Sequence, residues 1–178
     1  MLFRSLLTIV VDTTIVSLVA KSFAGQIKQT RPFDSSAQEA MLAIRRTSAL
    51  ILAPWEKFLK ARFGLSASLY NILRILRGSH PGALTCSEIS ERAIDCETDV
   101  TRLVDQLTTR GLVERRRSTK DRRVVEVSIT TKGLDLLREL DPHAERMPGA
   151  LIGHVGEEKL RQLATLLIEV LEGIGTYP

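Results

Sequence analysis

The sequence predicts a mainly α-helical domain carrying one small β-hairpin, an α+β chain in which helices dominate. Three observations carry this. Apolar residues recur at helical spacing through several stretches, most of them opened by a Ser or Thr cap signal. Two short β-rich runs, 112–116 and 124–129, flank a polar loop at 117–123 and so spell a hairpin. The positive charge is concentrated on that hairpin: Arg110, Arg115, Arg116, Arg117, Lys120, Arg122 and Arg123 stand against Glu114 and Asp121, a net +5 in a chain whose total is +4.

At 178 residues the chain is long enough to bury a core as one domain. With 44% hydrophobic and 26% charged residues its composition is that of a globular protein. Aromatics make up only 4% and lie outside the basic stretch, which argues against a protein that stacks single-stranded bases on a row of rings. Two cysteines, Cys86 and Cys96, form no disulfide framework and suit a reducing cytosol, so a cytoplasmic protein is expected. His80, His143 and His154 share no metal-ligand spacing with them. Phosphate loop, dinucleotide glycine fingerprint and zinc-protease motif are all missing. The expectation is a protein that is not an enzyme and uses no cofactor or metal.

Residues 1–34 read as an apolar arm and linker. Residues 2–20 are mostly apolar, with Arg4 near the start and Ser22-Phe23-Ala24 as a small-residue cleavage signal, the outline of a signal peptide. Asp12 opposes it, because a charge at a membrane centre costs roughly 3 kcal/mol. An ordered arm packing on a dimer, a start-site artefact or frayed tail, and a targeting or membrane segment all remain open readings. No other stretch is apolar enough to span a bilayer, so no membrane partner is expected apart from that arm.

The rest, 35–178, divides by its cap and breaker residues. Ser35 with Gln38, or Ser36 with Glu39, opens a long helix whose Met41, Ile44, Ile51, Trp55, Phe58 and Phe63 fall near helical spacing, with Pro54 expected to kink it. Ser66 caps a helix with the face Leu69, Ile72, Leu73 and Leu76, stopped by Gly78, and Pro81-Gly82 is a turn. Thr85 and Glu88 form a capping box for a helix to about Ile94. A tight turn, Asp95-Cys96-Glu97, leads to a helix over 98–110, ended by Gly111. After the hairpin Thr130 caps a helix to about Leu140, which Asp141-Pro142 breaks. Leu160, Leu163, Leu167, Val170 and Leu171 mark a final amphipathic helix.

On the helix at 98–110, at about 100° per residue, Val100, Leu103, Val104 and Leu107 form one inward stripe. Thr98, Thr101, Arg102, Asp105 and Gln106 lie outward or on the flanks, the hydroxyl, guanidinium and amide groups that major-groove readout uses. On the hairpin, Arg115, Arg116, Arg117 and Lys120 are candidates for phosphate contacts. Asp121, by holding Arg122 or Arg123 in a fixed fork, would aim an arginine at the minor groove. Two short helices, a tight turn and a basic hairpin in this order form a winged helix-turn-helix, at about 65–133, flanked by helices at about 35–63 and 134–173.

Several segments match one family in succession: Leu84-Thr85-Cys86-Ser87-Glu88-Ile89, the run from Asp99 through Thr101-Arg102-Leu103-Val104-Asp105-Gln106 to Leu107, then Arg110-Gly111-Leu112-Val113-Glu114-Arg115, Asp121-Arg122-Arg123-Val124 and Ile129-Thr130-Thr131-Lys132-Gly133. Their combination resembles the MarR family of transcriptional regulators over about 35–173. The resemblance implies a homodimer on double-stranded DNA, a recognition helix at 98–110, a wing at 112–129, and dimerisation through the terminal helices. It also implies that a small phenolic ligand, or oxidation, releases DNA. Trp55, Phe58, Phe63 and Tyr70 are the candidate pocket for an aromatic effector, or ordinary core at helical spacing. Cys86 and Cys96 are the candidate redox residues, or small half-buried ones. They bracket a helix too long for an internal disulfide.

Some features depart from the family. The hydroperoxide-sensing subgroup carries a cysteine in its first long helix, and none lies between 35 and 63. Asp95 and Glu97 put carboxylates beside the expected recognition helix, which suits helix caps better than phosphate contacts. The apolar arm is outside the pattern. The competing reading is a winged-helix sensor or membrane-attached interaction protein without specific DNA readout, which salt dependence distinguishes.

Overall fold

The computed structural model describes residues 22–94, 99–118, 121 and 123–174. It divides into two compact units, Met1–Ala53 and Pro54–Pro178.

In the first unit a short helix, α1 (Phe23–Gln26), is capped by Ser22, whose hydroxyl accepts the Gly25 N–H at 3.1 Å. Phe23 stacks on Phe33 at 5.9 Å between ring centroids. The long helix α2 (Ser36–Phe63) starts here and runs on into the second unit, with Pro54 inside it. Its opening is a variant of the predicted box. Ser35 Oγ accepts the Gln38 N–H, but the Gln38 amide reaches one residue further back, to the Asp34 N–H at 2.8 Å. Met41, Ile44, Leu50 and Leu52 on α2 remain exposed.

The second unit holds the core. Gly64, at φ +63, ends α2, since a left-handed residue stops a helix without the steric cost of a Cβ. Ser66 then caps α3 (Ala67–Ser79) by accepting the Leu69 N–H. The helix passes through Gly78 rather than stopping there and ends at the Ser79–Gly82 turn, where the Gly82 N–H meets the Ser79 carbonyl at 2.7 Å. A two-residue strand follows, β1 (Leu84–Thr85), too short to leave a pattern in the sequence. The Thr85–Glu88 capping box is formed, but its helix α4 (Cys86–Arg92) stops two residues early and leaves Ile94 exposed.

Helix α5 (Val100–Thr109), capped by Asp99, leads into the hairpin strands β2 (Val113–Arg117) and β3 (Val125–Ile129). β3 is the centre of a three-stranded antiparallel sheet in the order β1-β3-β2, with Leu84 opposite Val127 and Val113 opposite Ile129. Pairing with β1 ties the middle of β3, at Glu126 and Val127, to the start of α4, while Val113 and Ile129 form the base of the hairpin. Gly133 allows the next helix to sit on that base: a Cβ there would lie 2.3 Å from the Leu112 carbonyl oxygen.

That helix, α6 (Thr131–Ile152), corrects the break expected at Asp141-Pro142, since it continues through both Pro142 and Pro148. A proline inside a helix costs about 3 kcal/mol. Here both prolines are exposed, and the packed stripe of Leu137 and Leu140 continues past the first one through Ala144 and Met147. Asp141 is also gripped by both-oxygen contacts from Arg77 Nη1, at 2.7 and 2.8 Å. Tertiary packing therefore outweighs the local signal. A 3₁₀ turn (Gly153–Val155) precedes α7 (Glu157–Ile174). Leu59, Ile72, Leu73, Leu76, Ile89, Leu107 and Val127 form the centre of the core, each about 1.5–3 kcal/mol of burial.

Candidate nucleic-acid interface

Helix α5 forms where β-branched and leucine residues alternate with polar ones at helical spacing. Asp99 accepts the Arg102 N–H at 3.1 Å and satisfies an otherwise orphaned donor. Thr98, Asp95, Glu97 and Cys96 lie outside the described residues, so the cap seen is Asp99 and the helix begins two residues later than expected. Val100, Leu103, Val104 and Leu107 are buried against the core, while Thr101, Arg102, Asp105 and Gln106 are exposed. The division of faces is the one expected from the spacing.

Alternation along a strand sorts the hairpin's charges. Val113, Arg115 and Arg117 lie on one face of β2, opposite Ile129, Val127 and Val125, and this is the face that packs toward α5. Arg115 uses its position to reach the helix: its guanidinium is bonded to the Asp105 carboxylate and, at 3.2 Å, to the Thr101 carbonyl oxygen. Asp105 is thus held by the hairpin. Arg116 points to the other face, is ion-paired with Glu114 at 2.9 Å, and stands opposite Glu126. Among the described residues no ion pair engages Arg102, Arg117 or Arg123.

The hairpin tip is closed by backbone bonds, Ser118 N–H to the Val124 carbonyl and Val124 N–H to the Asp121 carbonyl, both at 2.9 Å. The Asp121 carboxylate accepts the backbone N–H of Arg123 at 2.9 Å. It orders the turn through the main chain of Arg123; of the two guanidiniums expected beside it, that of Arg123 makes no ion pair among the described residues and that of Arg122 is outside them. Lys120 and Arg122 lie outside the described residues.

The four candidate pocket residues come together as one cluster of rings. Trp55 lies on Phe58 at 5.5 Å and meets the edge of Tyr70 at 5.3 Å; Phe58 also contacts Phe63 and the His143 ring. Trp55 and Tyr70 are buried, and burial pushes the Tyr70 hydroxyl above its ordinary value. Cys86 is a free thiol, half-buried at the first position of α4 and packed against the core. Among the described residues no three His, Cys, Asp or Glu side chains gather as a metal site, and no helix is long and apolar enough to cross a membrane. One contact has no signal in the sequence: the Arg110 side chain donates to the carbonyls of Phe63 and Gly64.

A short helix packed on a second with an exposed polar face, followed by a basic antiparallel hairpin, defines the winged helix-turn-helix class. A family model described as the MarR family matches residues 65–125. The transcriptional repressor MprA of Escherichia coli is 32% identical over 119 residues, which cover 66% of this chain and 67% of that one. A MarR transcription factor from Planctomyces limnophilus, known from its crystal structure, is 40% identical with a TM-score of 0.58, covering 76% of this chain and 98% of that one. The chain belongs to the MarR family. A likeness of fold extends to Sco3205 of Streptomyces coelicolor, a MarR family regulator solved in complex with DNA, at 20% identity and a TM-score of 0.71, over 81% of this chain and 92% of that one.

Proposed function

We propose that this chain is a transcriptional regulator that binds double-stranded DNA as a homodimer on a pseudo-palindromic operator. The observation that carries this reading is the placement of unengaged polar groups. Thr101, Arg102 and Gln106 project from α5, and Arg117 and Arg123, free of ion pairs among the described residues, project from the adjoining hairpin. In this reading α5 enters a major groove with Arg102 and Gln106 at base edges, while the hairpin is the wing, with Arg117 on phosphate and Arg123 at the minor groove. Arg115 and Asp105 act on each other rather than on DNA, and Arg116, on the far face and paired, contributes little.

The DNA-binding lobe is then residues 65–133, and the helices on either side join the two copies. Support for the second copy comes from apolar side chains left exposed in both units: Met41, Ile44, Leu50 and Leu52 on α2, and Leu163, Leu166, Val170, Leu171 and Ile174 on α7. Selection of bound duplexes from random DNA with the purified full chain tests the reading. The expected product is a dyad with half-sites about one helical turn, ~10 bp, apart. Its affinity should fall linearly in log–log form with salt, because Lys and Arg on phosphates release counterions. Absence of any selected sequence, or binding indifferent to salt, counts against it in favour of a protein-interaction role.

A further inference from the structure

Arg110 is the C-cap of α5, half-buried, and its side chain leaves that helix altogether. Nη2 donates to the Phe63 carbonyl at 2.7 Å and Nη1 to the Gly64 carbonyl at 2.9 Å. These two oxygens lie at the C-terminal end of α2, where helical carbonyls lack partners within the helix and the dipole favours a cation. Two carbonyls further back have other donors, Lys60 the Gly64 N–H and Leu59 the Leu65 N–H. Arg110 thus supplies donors to two carbonyls at the end of α2. Its own main chain is held from a third element: Lys132 Nζ, in the first turn of α6, donates to the Arg110 carbonyl at 2.8 Å. One residue therefore joins the end of the helix that carries Trp55, Phe58 and Phe63, the end of α5, and the start of α6.

We infer that Arg110 is a positioning residue that fixes the register of α5 on the end of α2, and that it makes no DNA contact although it opens the basic stretch. The inference deepens the DNA-binding reading and rests on it for its functional consequence. A planar guanidinium is suited to the task because two separate nitrogens meet two successive carbonyls. A lysine ammonium keeps the charge but offers a single nitrogen on a flexible stem. Together with Arg115, which holds α5 through the Thr101 carbonyl near its start and the Asp105 carboxylate at its middle, Arg110 leaves the outward face of the helix with its orientation set at more than one point.

The test compares full-length Arg110→Lys and Arg110→Gln with the unsubstituted chain. The probes are the best duplex selected from random DNA and an unrelated duplex of equal length. If Arg110 positions α5, both variants lose roughly tenfold or more on the selected duplex, the scale of one charge-assisted hydrogen bond. Both keep their affinity and salt slope on the unrelated duplex. Hydrogen exchange across α5 and across residues 59–65 accelerates in both variants, a readout that needs no DNA. Wild-type affinity in Arg110→Lys, with Arg110→Gln weaker on both duplexes and a salt slope reduced by about one, assigns Arg110 to a phosphate and overturns the inference. Unchanged exchange in α5 overturns it as well. If the unsubstituted chain selects no duplex the DNA-binding reading fails, and the exchange result alone decides whether Arg110 holds the helix.

Discussion

Helix α5 has ten residues and buries four of them, Val100, Leu103, Val104 and Leu107, whereas α7 has eighteen and contains no buried side chain. Both are amphipathic by sequence. On α5 the apolar stripe meets α3, α4 and β2, so its polar face is what remains for solvent. On α7 the leucines themselves remain outside, with Leu166 and Leu171 more than half exposed. One apolar face is thus buried within a single copy, while the other stays exposed. In the dimer proposed above, this is a face on which the second copy packs.

Emptying the buried face of α5 should do the most damage. Leu107, fully buried, should cost about 2–5 kcal/mol when replaced by alanine, through lost burial and the cavity left behind. The measurement is chemical denaturation, and a loss below ~1 kcal/mol would mean that α5 is not packed as described. On α7 the same logic predicts the opposite. Leu166→Glu with Leu171→Glu should leave the lobe folded and yield a monomer by light scattering. Because two half-sites are then no longer bound together, affinity for a dyad duplex should fall by roughly a hundredfold. A dimer that survives both substitutions places the interface elsewhere.

The outward face gives a finer contrast, between neighbours on one strand. Arg117→Ala should weaken DNA binding by about 1–3 kcal/mol, whereas Arg116→Ala, on the opposite face and paired with Glu114, should change it by less than about 0.5 kcal/mol. Titrations of both variants against the same selected duplex compare them directly. Equal losses would mean that strand parity does not decide which arginine meets a phosphate.

That contrast also marks where the sequence was informative. The stripe on α5, the Thr85–Glu88 box, the hairpin and the Ser66 cap were all legible, because each rests on spacing or on local hydrogen bonding. What was not legible depends on partners far away in sequence. Helix α6 continues through Pro142 because Leu140, Ala144 and Met147 pack and Arg77 grips Asp141 from 64 residues away. Arg110 bonds to carbonyls 46 and 47 residues back. β1 has two residues and exists only as a partner of β3. A charge count cannot tell an arginine that neutralises a helix end from one that waits for a phosphate.

The capping box at the start of α4 is held by purely local chemistry, and disturbing it should cost little. Glu88 accepts the Thr85 N–H at 2.7 Å and the Thr85 hydroxyl at 2.9 Å. The backbone bond first, and the hydroxyl after it, hold this carboxyl below its ordinary value. A carboxyl depressed in the folded state binds fewer protons there than in the unfolded chain. Its contribution to stability is therefore complete above the ordinary carboxylate range and is lost as pH falls through the lower, folded value. Glu88→Gln keeps an oxygen that can accept the Thr85 N–H but removes the titration. Thermal melts should show the unsubstituted protein slightly the more stable at neutral pH. The two should converge in acid, where the protonated carboxyl and the substituted amide are electrically alike. A gap that stays constant from pH 7 to pH 3 would show that the Glu88 charge is not what the box stabilises, leaving the neutral cap of Thr85 on the Glu88 N–H as the source of the helix start.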